Sequence, residues 1–221
     1  MHSVALAAAE GLPGASRGLV VVPEFAGPIG VPDFTAYVGS MTSLLKRQQL
    51  DVPPVVSDID AGIVSVAHVR RTSDVHEIAD ALGWPLSAIA GRLRRLVITG
   101  ALIERRPGEY IRPVEIEATG RLYAIEAKIE DWRKALRQVR TYRVWADAYV
   151  LVMSGLSERT TEALLTEVKR DRGGLVVDGD WLARPRIEAT DEWRRLQALE
   201  LFVASTESGL RSPSLAGRVK A

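Results

Sequence analysis

The chain of 221 residues contains no cysteine. That excludes disulfides, thiolate zinc sites and a cysteine nucleophile, and it suits a reducing, cytoplasmic setting, which is the expected location. Histidine is almost as scarce. His2, His68 and His76 fall in the amino terminus and a mid-chain helical stretch, with no carboxylate at ligand spacing, so no histidine-centred triad is expected. No apolar run approaches the roughly 18 residues of a spanning helix, and no membrane partner is expected. The start, Met1 to Glu10, lacks the basic flank of a signal peptide and reads as a short helix or a frayed end. A large charge of either sign is also missing, since the formal total is only +1. Gly173-Gly174 lacks the lysine and spacing of a phosphate loop and opens a strand instead.

What is present begins with a hydrophobic run, Leu122-Tyr-Ala-Ile-Glu-Ala-Lys-Ile129, that carries Glu126 and Lys128 two residues apart. In a strand these two point to one face, while Tyr123, Ile125, Ala127 and Ile129 flank them or pack elsewhere. Two readings fit. Glu126 supplies a hard oxygen ligand and Lys128 steadies a hydroxide or a phosphate, or the two form a same-face ion pair on a surface strand. Upstream, Leu19 to Phe25 reads as a strand, and a Gly/Pro turn leads into Gly30-Val-Pro-Asp33, so Asp33 starts the returning strand of a hairpin. That adds the second carboxylate a divalent site needs. On the basic helix after Lys128, Gln138 and Tyr142 are four apart and share one face.

Pro32-Asp33 with Glu126-Ala-Lys128 resembles the PD-(D/E)xK nuclease superfamily, and Gly30-Val-Pro-Asp33 with Gln138-x-x-x-Tyr142 resembles its RecB-like branch. The resemblance covers residues 18–37 and 115–190. It implies an α/β fold, a restriction-endonuclease-like mixed sheet flanked by helices. It also implies Mg²⁺ or Mn²⁺ held by Asp33 and Glu126, Lys128 orienting or activating water, and Gln138 and Tyr142 positioning the strand or supporting the site. The superfamily's additional acidic residue would fall to Glu10 or Glu24. The segment order agrees: a helix through Trp145, a strand at Ala148–Met153, a helix at Glu158–Lys169, then strands at Gly173–Asp178 and Trp181–Ile187.

Between Asp33 and Glu126 the chain is longer than a compact core requires, and residues 57–112 read as an insert. Asp58–Val69 is apolar at helical spacing, Ser73 caps a second helix to Leu82, and Gly83-Trp-Pro85 turns into a third, Leu86–Ile98. Leu86, Ile89, Leu93 and Leu96 point inward there, with Ala88, Gly91, Arg92 and Arg95 opposite. Glu104–Arg112 forms a hairpin with Pro107-Gly108 at its tip. Together these resemble a winged helix-turn-helix, which implies DNA as partner. From Trp84 to Arg112, Arg92, Arg94, Arg95, Arg105, Arg106 and Arg112 face two glutamates, an excess of four positive charges. Lys128 to Trp145, with Arg137 among its cations, carries the same excess. Such clusters neutralise phosphates or solvate helix faces. The core then comprises 18–56 and 113–204, preceded by an extension at 1–17 and followed by a flexible basic tail at 205–221. Trp132, Trp145, Trp181 and Trp193 read as core residues. Two functions follow: a metal-dependent DNA endonuclease or repair-type nuclease, or a noncatalytic nuclease-fold DNA-binding regulator or partner subunit. Further partners would be a second copy of the chain or another protein.

Overall fold

The computed structural model describes residues 1–210. Helix α1 (His2–Glu10) lays Ala5, Ala8 and Ala9 on the sheet. Strands β1 (Leu19–Pro23) and β2 (Phe34–Val38) form the expected antiparallel hairpin. Helix α2 (Met41–Gln49) is capped by the Ser40 hydroxyl, which accepts from the Ser43 N–H at 3.3 Å. The mid-chain segment contains α3 (Asp58–Val66), β3 (Ser73–Asp74), α4 (Val75–Leu82), α5 (Leu86–Ile98), β4 (Ile103–Arg106) and β5 (Glu109–Ile111). Then come β6 (Arg121–Lys128), α6 (Trp132–Tyr142), β7 (Ala148–Met153), α7 (Glu158–Arg170), β8 (Gly174–Val177), β9 (Asp180–Ala183) and α8 (Glu192–Leu210).

The main sheet runs β1-β2-β6-β7-β8-β9, antiparallel at both edges and parallel through β6, β7 and β8. Alternation along each strand divides its side chains between two layers. Phe34, Ala36, Tyr123, Ile125 and Val150 pack under α1, whereas Tyr37, Leu122, Ala124, Tyr149, Leu151 and Met153 pack under α6, α7 and α8. Glu126 continues the second set, so its carboxylate enters the layer beneath α6.

The mid-chain segment builds its own core from Ile63, Val64, Ile78, Ile89, Leu93, Leu96, Leu102 and Tyr110, beside a three-stranded sheet ordered β3-β5-β4. The hairpin tip is where expected, with Gly108 at φ 78°. Helix α8 belongs to both units, because Leu196 enters the mid-chain core while Leu199, Phe202 and Val203 enter the sheet core. Arg47 and Glu200 join α2 to α8 in a buried bidentate pair, at 2.8 and 2.5 Å, and Glu200 also accepts the Val55 N–H at 2.7 Å.

Several boundaries differ from expectation. Ser73 is not a cap: it pairs with Tyr110 in β3, and the Asp74 carboxylate caps α4 by accepting from the Glu77 N–H at 2.8 Å. Helix α3 stops at Val66, three residues short, as Ala67 turns extended. Leu86 is exposed at the first turn of α5 rather than inward. The last strand ends at Ala183, short of Ile187, just before Pro185, which lacks an N–H for the ladder. The expected flexible tail from 205 begins as helix, since α8 continues through Leu210; residues 211–221 lie outside the described residues. Trp145 is fully buried, and Trp132, Trp181 and Trp193 pack against the cores as expected but are only half-buried, each with an arginine over its ring. Among the described residues no helix is long and apolar enough to cross a membrane.

Candidate active site

Strand register brings the first two acids together. Phe34 pairs with Ile125, so one step further Asp33 stands opposite Glu126, on the same face. This lies where β6 and its parallel neighbour β7 end, the edge at which parallel sheets offer binding crevices. Asp33 Oδ2 accepts the Ala127 N–H at 2.8 Å, which ties the carboxylate to the Glu-x-Lys strand. Lys128 Nζ lies 3.2 Å from Asp33 Oδ2 and 2.9 Å from Glu126 Oε1. Two carboxylates separated by ninety-three positions therefore converge on one cation.

Their environments differ. Glu126 is 1 % exposed, whereas Asp33 and Lys128 are each over a third exposed. Burial, with Asp33 beside it, pushes the Glu126 carboxyl above its ordinary range despite donors from Lys128 and Tyr142. Burial pulls on the Lys128 ammonium, but Glu126 and Asp33 together outweigh it and raise its pKa. Lys128 is therefore cationic at neutral pH.

Tyr142 shows why the helix belongs to the site. Its hydroxyl lies 3.2 Å from Glu126 Oε2 and 3.2 Å from the Val31 carbonyl, so it donates to the acid or to the loop carrying Asp33. Burial first, and then Glu126, push this phenol well above its ordinary range. Three residues further along, Trp145 Nε1 donates to the Ile29 carbonyl at 3.0 Å. Gly30 makes the approach feasible: its φ is 74°, and a Cβ there would lie 2.7 Å from the Tyr142 ring. Gln138, one turn before Tyr142, lines a groove of about 290 Å³ with Lys128 and Lys134. Its Oε1 is buried without a hydrogen-bond partner among the described residues.

The two carboxylates are hard-oxygen donors, which would suit Mg²⁺ or Mn²⁺ completed by water and a phosphate. Among the described residues no group of three or more His, Asp or Glu has the spacing to hold a metal by itself. Glu24 meets Asp33 through its backbone, its N–H donating to the Asp33 carbonyl at 2.9 Å, and among the described residues neither the Glu10 nor the Glu24 side chain forms a hydrogen bond or ion pair with Asp33, Glu126 or Lys128.

The basic residues of the mid-chain segment divide into two sets. Arg92 Nη1 and Arg95 Nη2 grip the Asp60 carboxylate of α3 at 2.9 and 2.5 Å; Arg95 is solvent-facing as expected and Arg92 only half-exposed, and both are paired with Asp60. Arg112 is half-buried and donates to the Val64 and Ser65 carbonyls at the end of α3. Arg94, Arg105 and Arg106 are exposed, as is Arg137 on α6. Asp60 had no visible signal, because its partners lie more than thirty residues away. Thr35 had one: it lies two positions after Asp33 and so on the same strand face.

No family model matches the chain, and no curated protein matches it. A solved structure of a protein of unknown function from Silicibacter pomeroyi is similar to it, with a TM-score of 0.40 and 12 % identity, over 99 % of this chain and 94 % of that one.

Proposed function

We propose that the chain is a metal-dependent DNA endonuclease or repair-type nuclease, built on a restriction-endonuclease-like fold with an inserted winged helix. The observation that carries this reading is the convergence of Asp33 and Glu126 on Lys128 where the parallel strands end. Asp33 and Glu126 would hold the divalent ion, which supplies Lewis-acid polarisation of the phosphate and a more acidic water. Lys128, kept charged by the two acids, does not act as a base; it stabilises negative charge on the hydroxide or the phosphate oxygens. Tyr142 lies within hydrogen-bond reach of both Glu126 and the Asp33 loop, and Gln138, one turn earlier, lines the groove beside Lys128. DNA affinity falls to the exposed Arg94, Arg105, Arg106 and Arg137, which are free to meet phosphates.

A second reading, a noncatalytic nuclease-fold DNA-binding regulator or partner subunit, is favoured by one observation: Lys128, the cation between the carboxylates, already satisfies both. Incubating the purified protein with plasmid, linear, single-stranded and branched DNA in Mg²⁺ or Mn²⁺ separates the two. Cleavage of any form that stops on chelation supports the nuclease; binding without cleavage in either metal supports the platform.

A further inference from the structure

The strand face that carries the two acids holds a third polar group with no task in this structure. Thr35 follows Asp33 on β2 at the same-face spacing, and it pairs across the ladder with Ala124, so the rows read Asp33 opposite Glu126, then Thr35 opposite Ala124. Thr35 is fully buried, and its hydroxyl has no hydrogen-bond partner among the described residues. A buried hydroxyl left idle is unfavourable, and valine would fill the same space in a strand without that cost. Its cross-strand partner is only a methyl group, and Glu126 is its diagonal neighbour on the same face, roughly 7 Å away.

The two donors that now hold Glu126 are Lys128 on Oε1 and Tyr142 on Oε2. If Glu126 takes an ion on Oε1, Lys128 is displaced from that oxygen towards the phosphate, and Tyr142 is left as the one hydrogen-bond donor that aims the buried carboxylate. We propose that Thr35 is a positioning residue whose hydroxyl turns to Glu126 as Lys128 moves to the substrate, and so keeps the carboxylate aimed at the ion. The inference rests on the nuclease reading. It assigns Thr35 no contact with substrate.

Three variants test it: Thr35→Val removes the hydroxyl at constant shape, Thr35→Ser keeps it, and Thr35→Ala removes both hydroxyl and methyl. Thermal unfolding without metal, Ca²⁺ binding by calorimetry and cleavage kinetics in Mg²⁺ are measured for each. The expected Thr35→Val protein melts at or above wild type, binds Ca²⁺ several-fold more weakly, and loses about 10- to 100-fold in kcat at unchanged KM. Thr35→Ser is expected to recover kcat, whereas Thr35→Ala is not. Wild-type kcat and Ca²⁺ affinity in Thr35→Val would overturn the role of Thr35 while leaving the nuclease reading intact. A melting point in Thr35→Val well below wild type would overturn it too, by showing that the hydroxyl is structural at rest. A wild-type protein that neither binds the ion nor cuts DNA removes the nuclease reading, and the proposal with it.

Discussion

At the scale of single residues, the site places a poorly solvated acid where folding alone would not choose one. Burial raises the Glu126 carboxyl above its ordinary value of 4.5, so the folded state resists its ionisation. The sign follows from linkage. Below the ordinary value Glu126 is protonated in both folded and unfolded chains and is harmless, and stability is lost as pH rises through the raised folded value. Glu126→Gln should therefore melt higher than wild type at pH 7, with the gain shrinking as pH falls and vanishing below about 4.5. Cleavage by that variant should be abolished. Melting curves across pH check this, and a variant less stable than wild type at pH 7 would mean that the bonds to Lys128 and Tyr142 outweigh burial.

Between elements, the arginines of α5 distinguish scaffold from surface. Arg92 and Arg95 hold the nearly buried Asp60, so replacing both with alanine strands a carboxylate between α3 and α5. The expected cost is about 2–3 kcal/mol in denaturant unfolding. Replacing the exposed Arg94, Arg105 and Arg106 instead should leave stability within about 0.5 kcal/mol. It should also weaken DNA binding and flatten its salt dependence by about one unit of slope for each phosphate that is no longer neutralised. The opposite pattern, with stability intact in the first variant and DNA binding intact in the second, would reassign the two sets.

How far each element is legible in the sequence depends on the range of the interactions that form it. Helices α5 and α6 and strand β7 are legible because apolar spacing and flanking turns act within a few residues. Asp33, Glu126 and Lys128 are legible because Glu-x-Lys sets a face and the hairpin sets a register. The partner of Arg92 is not legible, since nothing local links it to Asp60 on another helix. Nor is the role of Ser73, which looks like a cap until Tyr110, thirty-seven positions away, recruits it into a strand.

For the whole molecule, α8 carries side chains into two cores. Arg47 and Glu200 are 4 % and 1 % exposed, so Glu200→Ala leaves a buried guanidinium without its counter-ion and the Val55 N–H without its acceptor. That should cost roughly 3–5 kcal/mol. Because Leu196 and Phe202 sit in different cores of the same helix, both units should unfold in one transition, read by fluorescence and circular dichroism together. Two separated transitions in wild type would show the mid-chain unit to be independent.

Whether Asp33, Glu126 and Lys128 form a hydrolytic centre is tested most directly by single-turnover cleavage of DNA in Mg²⁺ by wild type, Lys128→Ala and Asp33→Asn. Metal-dependent cleavage by wild type is expected, with a rate lower by at least about 10³-fold in each variant and with folding and most DNA affinity retained. Cleavage that survives both substitutions, or a wild-type protein that cuts no DNA in Mg²⁺ or Mn²⁺, would contradict a hydrolytic role for the three residues.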